Sequence, residues 1–155
     1  MVEVTTPMNA ITLLKEDHKT LKKLLREGED TTERAVKTRH QLLDRFTTEL
    51  GVHERIEEKI LYPALKKHEK AKDIVLEGYQ EHHVADLLVK ELHAMDVSDE
   101  RWGAKFKVLK ESIEHHIEEE EDDMFPKANQ IFDARELNEL GDLMQAMKKD
   151  ALAAK

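Results

Sequence analysis

The sequence predicts an all-α protein: an up-down-up-down antiparallel four-helix bundle with an additional C-terminal helix. Three observations predict it. Leu, Glu, Lys and Ala dominate, while Gly totals 5, Pro 3 and aromatic residues 5%, a composition that favours long helices over sheet. Apolar residues recur at alternating spacings of three and four, which places them on one helical face. The segment from His53 to Pro63 returns sixty-three positions later as His116 to Pro126, so the chain reads as a repeated helical hairpin. At 155 residues a single domain is expected, with the bundle over roughly 7–130 and the last helix over roughly 133–151.

The elements follow in order. Thr6-Pro7 offers a cap and a proline at the first helical position, so the first helix is expected from Pro7 to Glu27, ending at Gly28. The residues before it are expected to be disordered. Its apolar stripe is Ile11, Leu14, Leu21 and Leu25, and His18 lies on that stripe. A turn around Glu29–Thr32 leads into a long second helix, which ends near Tyr62, where Pro63 breaks or kinks it. The stripe here is Leu43, Phe46, Leu50, His53, Glu57, Ile60 and Ala64, with a polar pair where the pattern asks for apolar residues. The third helix covers Ala71 to Met95, with Val75, Gly78, His82, Ala85, Val89 and Leu92 in line. Asp96 to Asp99 reads as a loop with Ser98 capping the fourth helix. That helix carries Trp102, Phe106, Leu109, Ile113, then His116 and Glu120. Asp133 and Glu136 read as the capping box of a fifth helix, with Leu137, Leu140, Met144 and Met147 along one face.

The bulk numbers exclude several function classes. A net charge of −9 argues against nucleic acid as a partner, because phosphate binding needs a basic patch and Lys22-Lys23 and Lys66-Lys67 are too short to be one. Charged residues at 38% are the solvated faces of amphipathic helices. No window resembles a membrane span of about 18 uncharged apolar residues. The N-terminus lacks a secretion signal, so the expected location is cytoplasmic. Cysteine is absent, which removes disulfides, thiolate metal sites and a cysteine nucleophile together.

The chemistry lies in the repeat. His53-x-x-x-Glu57 and His116-x-x-x-Glu120 each set an imidazole and a carboxylate side by side on a helix. His18 and His82 are sixty-four apart, nearly the repeat distance. Four helices therefore point four imidazoles and two carboxylates at the bundle centre. That is the donor set of a carboxylate-bridged dinuclear centre: two iron ions bridged by both glutamates, two imidazoles each, and an oxo or hydroxo bridge. A position then remains open to dioxygen, peroxide or nitric oxide. Imidazole with carboxylate suits iron, manganese or zinc, and the lack of thiolates argues against copper(I) and iron–sulfur clusters. Taken singly, a histidine on an apolar face is more often a satisfied core residue. Six such residues in register with an internal repeat are different, because an ionised glutamate buried alone costs several kcal/mol.

The neighbours divide into roles. Only one of His82 and His83 can face fully inward; repeat spacing and the stripe favour His82, with His83 the alternative. His40, His68 and His93 fall on polar faces or helix ends, and His115 is rotated about 100° off the seam. Glu54 is a candidate extra ligand, while Glu58, Glu118, Glu119 and Glu121 are expected on the solvated face. Asp17 and Glu81 precede His18 and His82 and are expected to orient them. Tyr62 and Phe125 are expected to plug one bundle end, and Met95, Met144 and Met147 to fill the core.

The pattern His18, His53-x-x-x-Glu57, His82, His116-x-x-x-Glu120, with its paired endings Tyr62-Pro63 and Phe125-Pro126, resembles the hemerythrin-like family of HHE cation-binding domains from Ile11 to Pro126. The resemblance implies a four-helix bundle around a non-heme diiron centre. Members bind dioxygen reversibly, sense oxygen or iron, or react with peroxide or nitric oxide. Oxygen carriers place two histidines on the third helix at H-x-x-x-H spacing, whereas here the residue four after His82 is Asp86, and four after His83 is Leu87. Asp86 is a candidate substitute ligand. The more symmetric set resembles members assigned to sensing or to peroxide and nitric oxide chemistry. The leading expectation is a diiron protein whose partner is a small diatomic or peroxide ligand. The alternative is an iron- or oxygen-sensing or iron-buffering module without turnover; with no second domain after the bundle, a sensor would signal through a separate protein partner. A zinc hydrolase is the weakest reading, since His53-Glu54-Arg55-Ile56-Glu57 is not H-E-x-x-H.

Overall fold

The computed structural model describes residues 9–153, so the expected start at Thr6-Pro7 and the residues before it lie outside the described residues. Among the described residues all regular structure is helical, in five helices joined by short turns. Helix α1 is Ala10–Glu29, opened by Asn9, whose side chain accepts the Thr12 N–H at 2.8 Å. It runs through Gly28 rather than stopping there. A Cβ on Gly28 would lie 2.2 Å from the Phe106 ring, so this glycine serves close helix packing and not chain reversal.

Helix α2 spans 36–66 in three stretches, Val36–Ile56, a π-helical turn Glu57–Leu61, and Tyr62–Lys66. Pro63 neither ends nor breaks it. The π-turn, in which the Tyr62 N–H reaches back five residues to the Glu57 carbonyl, absorbs the proline at the head of the last stretch. The extra residue shifts the buried seam by one position. Leu61 and Leu65 fill the core where Ile60 and Ala64 were expected, and Tyr62 turns inward.

Helix α3 is Glu69–Ala94. Helix α4 spans 100–131 as Glu100–Glu119, a second π-turn Glu120–Met124, and Phe125–Ile131. Asp99, not Ser98, caps it: Asp99 Oδ1 accepts the Arg101 N–H at 2.8 Å, while Ser98 donates to Asp96. Helix α5 is Ala134–Ala153, and the expected capping box is present, with Glu136 N–H donating to Asp133 Oδ1 at 2.8 Å and Asp133 N–H to Glu136 Oε1 at 3.3 Å.

Helices α1, α2, α3 and α4 contact one another in a closed circuit, and α5 lies against α1 and α2. Buried Arg39 ties two turns at one end, donating to the Val97 carbonyl at 2.6 Å and Thr31 Oγ1 at 2.9 Å, with its guanidinium 4.3 Å over Trp102. Two apolar clusters form the core. One holds Leu14, Leu61, Leu65, Val75, Phe125 and the α5 residues Leu137 and Met144. The other holds Leu21, Leu25, Phe46, Leu50, Trp102 and Phe106. Between these clusters in sequence, along each seam, comes a buried polar layer. Among the described residues no helix is long and apolar enough to cross a membrane.

Candidate metal centre

The polar layer contains the six residues singled out by the repeat: His18, His53, Glu57, His82, His116 and Glu120 are all buried. Glu57 and Glu120 each begin a π-turn, so the two carboxylates occupy matching positions in the two halves. Each imidazole turns its Nε2 toward a carboxylate. His18 Nε2 lies 3.1 Å and His116 Nε2 3.3 Å from Glu120 Oε1; His53 Nε2 lies 3.2 Å and His82 Nε2 3.1 Å from Glu57 Oε1. The donors form two groups that could each hold an ion: His18, His53, Glu57 and Glu120, and Glu57, His82 and His116. Glu57 belongs to both, as a bridging carboxylate would. Ligands set at right angles around an ion at roughly 2.1 Å are roughly 3 Å apart, the spacing seen here.

His82 is buried and faces the layer, while His83 is exposed. Asp86 is exposed and belongs to neither donor group. Glu54 is buried but also outside both groups; burial, reinforced by Asp86, pushes its carboxyl up to about 10.

The outward nitrogens correct the expected pairing. Asp17 holds His53 rather than His18, with Oδ2 3.0 Å from Nδ1. Glu81 holds His116 rather than His82, with Oε1 2.7 Å from Nδ1. His18 Nδ1 meets Glu121 Oε2 at 2.7 Å, and His82 Nδ1 meets Glu58 Oε2 at 3.2 Å. Glu58 and Glu121 are therefore not merely solvated: each follows a candidate ligand and orients an imidazole on another helix. Four carboxylates thus fix four rings with Nε2 inward, the arrangement that typifies histidine ligation.

Tyr62 is the second correction. Its hydroxyl donates to Glu120 Oε2 at 2.8 Å and lies 3.3 Å from His82 Nε2, so it enters the donor cluster instead of plugging the bundle end. Gly78 makes the room, since a Cβ there would sit 2.8 Å from the hydroxyl. The repeat counterpart Phe125 stacks on His18 with no polar atom to offer, so the two halves of the centre differ.

Electrostatics fit a cation. Burial opposes charge on His53, but Glu57 and Asp17 outweigh it and push the imidazole up to about 10. His116 is held well above its ordinary value, against burial, by Glu120, Glu57 and Glu81. Glu57 is held well below the usual carboxylate range, again against burial, chiefly by His53. Burial and the carboxylates of Glu120 and Glu57 push the Tyr62 phenol well up. Yet His53 Nε2, His116 Nε2 and Glu57 Oε2 are buried with no hydrogen-bond partner. Orphaned buried polar atoms are rare and costly, and three converging on one layer fit a metal that would complete them.

Fold and site together define a helical cation-binding protein with histidine and glutamate donors. Residues 9–128 match the Hemerythrin HHE cation binding domain family, and the chain belongs to it. It is 36% identical over 146 residues to the uncharacterized protein Rv2633c of Mycobacterium tuberculosis and to the uncharacterized protein Mb2666c of Mycobacterium bovis, covering 90% of this chain and 84% of each relative. Among solved structures it resembles a Hemerythrin HHE cation binding domain-containing protein from Mycobacterium kansasii, described as an Rv2633c homolog. That match has a TM-score of 0.82 at 30% identity, over 94% of this chain and 88% of the other.

Proposed function

We propose that this protein is a non-heme diiron protein that binds or reacts with dioxygen, peroxide or nitric oxide. In this reading α1–α4 are an up-down-up-down bundle, α5 is its outer brace, and the whole is one cytoplasmic domain. The observation that carries the reading is the pair of donor groups joined by Glu57, with orphaned Nε2 atoms on His53 and His116. His18 and His53 would hold one iron and His82 and His116 the other, with Glu57 and Glu120 shared between them. A reduced diiron pair supplies two electrons to a small oxidant and can recover them.

The chain supplies the rest. Asp17, Glu58, Glu81 and Glu121 keep each imidazole in the tautomer with its proton on Nδ1 and its lone pair inward. Phe125 and the apolar clusters keep water from one half, and the Tyr62 hydroxyl gives the other half a hydrogen-bond donor or an added oxygen ligand. A small ligand is favoured over a bulky substrate because all six candidate ligands are buried.

The test is anaerobic mixing of the reduced iron-loaded protein with dioxygen, hydrogen peroxide or nitric oxide, followed by visible absorption. Reversible spectral change with dioxygen means binding; repeated consumption of peroxide or nitric oxide means turnover. No response to any of the three, with iron in place, refutes the reading and leaves an iron-buffering or sensing module.

A further inference from the structure

We propose that Glu81, His115 and Glu119 form an outer divalent-cation site on the surface where α3 meets α4. The ligand atoms of the three residues all lie within 4.8 Å of one another. His115 Nε2 is 3.0 Å from Glu119 Oε1 and 3.9 Å from Glu81 Oε2. Glu81 spends Oε1 on His116 Nδ1, so Oε2 is the oxygen turned to this outer cluster. His115-x-x-x-Glu119 is a second histidine–glutamate pair at helical spacing, displaced by one residue from His116-x-x-x-Glu120 and so rotated about 100° to the outside. One imidazole with two carboxylates is a donor set for zinc, manganese or ferrous iron.

The internal repeat supplies an independent argument. Sixty-four positions before Glu81 stands Asp17, and sixty-three before His115 and Glu119 stand Val52 and Ile56. Asp17 also gives one oxygen to an imidazole, that of His53, and its other oxygen, Oδ1, meets the ammonium of Lys148 on α5. Val52 and Ile56 are buried in the apolar cluster that includes α5 residues. So the first half of the protein closes its outward carboxylate oxygen with a cation carried by its own chain.

The second half has no such cover. Among the described residues no lysine or arginine pairs with Glu81 or Glu119, and His115 is 64% exposed. Glu77 adds a further negative charge felt at Glu119. Where Lys148 stands in one half, the other half presents an exposed histidine and two half-buried carboxylates. A bound metal ion takes the place of the ammonium.

The experiment is a zinc titration of the full-length protein by calorimetry with a metal count per chain, on wild type and three variants. Wild type should take one more zinc per chain than His115→Ala, with the helical signal and melting temperature unchanged. His115→Lys, which puts an ammonium in the cluster, should lose the same equivalent. Glu119→Gln should weaken it at least tenfold and leave the inner count intact. The difference of one equivalent is the readout, so it holds whatever number the buried centre takes. Equal zinc content in wild type and His115→Ala, or a loss of affinity below threefold in that variant, overturns the proposal and leaves a surface ion pair.

Discussion

Replacing Gly78 by alanine tests the claim that Tyr62 is locked into the centre. On an exposed helix the change would stabilise by about 1 kcal/mol through backbone entropy. Here the new Cβ would lie 2.8 Å from Tyr62 Oη, 3.0 Å from Cζ and 3.2 Å from Cε2. Ordinary contact begins near 3.4 Å, so the ring must retreat by the difference, 3.4 − 2.8 = 0.6 Å. It has nowhere to go. Tyr62 is fully buried, its ring stacks on His82 at 5.4 Å, and its hydroxyl holds Glu120 at 2.8 Å. Overpacking of this kind costs about 1–3 kcal/mol, and a strained bond to a charged acceptor about 1.5–3 kcal/mol when lost. Set against the helical gain of about 1 kcal/mol, Gly78→Ala should destabilise the protein by about 1.5–5 kcal/mol. The assay is urea unfolding at matched metal content. In a Tyr62→Phe background, which removes the closest contact, the same change should cost about 1 kcal/mol less. A Gly78→Ala protein more stable than wild type, or strictly additive with Tyr62→Phe, would refute the packing argument.

Glu57→Ala and Glu120→Ala should each retain at most one ion per chain, since both carboxylates are shared between the two irons in the proposed centre; elemental analysis showing two ions in either variant would overturn the ligand assignment. Asp17→Asn and Glu81→Gln should each weaken metal binding about 10–100-fold by freeing the rings of His53 and His116, and chelator competition giving wild-type affinity would contradict that role. Glu54→Gln should stabilise the metal-free chain at neutral and alkaline pH. The folded chain holds a proton on Glu54 up to about 10, while the unfolded chain loses it above the ordinary carboxylate value of 4.5, so wild-type stability falls as pH rises between these limits. The advantage of the glutamine should therefore be small at pH 5 and reach on the order of a few kcal/mol by pH 9. Denaturant melts showing a pH-independent difference would sink this.

Much of the fold was legible because each seam repeats on the period of the helix, and the six inward residues interrupt those seams at fixed positions. Position along one helix decides burial of His18, His53, His82 and His116, so local periodicity was enough. The π-turns were not legible. They depend on one backbone hydrogen bond slipping by one residue, and that slip moved the seam from Ile60 and Ala64 to Leu61 and Leu65 and swung Tyr62 inward. Gly28 reads as a helix stop until Phe106, from another helix, is seen to need its missing Cβ. The carboxylate partners are hidden from the sequence for a similar reason. Asp17 meets His53 and Glu81 meets His116 across helix–helix contacts, and the axial offset between helices is set by packing, not by neighbours in the chain. A hint did exist: Glu58 and Glu121 directly follow the two candidate bridges, in register with the repeat.

The proposed dinuclear iron centre is tested by measuring iron per chain in protein from iron-supplemented cells, together with Mössbauer spectra before and after reduction. Two irons per chain, coupled when oxidised and becoming two distinct high-spin ferrous sites on reduction, is the predicted result, the inequality arising from Tyr62 beside one ion and Phe125 beside the other. One iron or fewer per chain, or two uncoupled irons that survive Glu57→Ala, would contradict it.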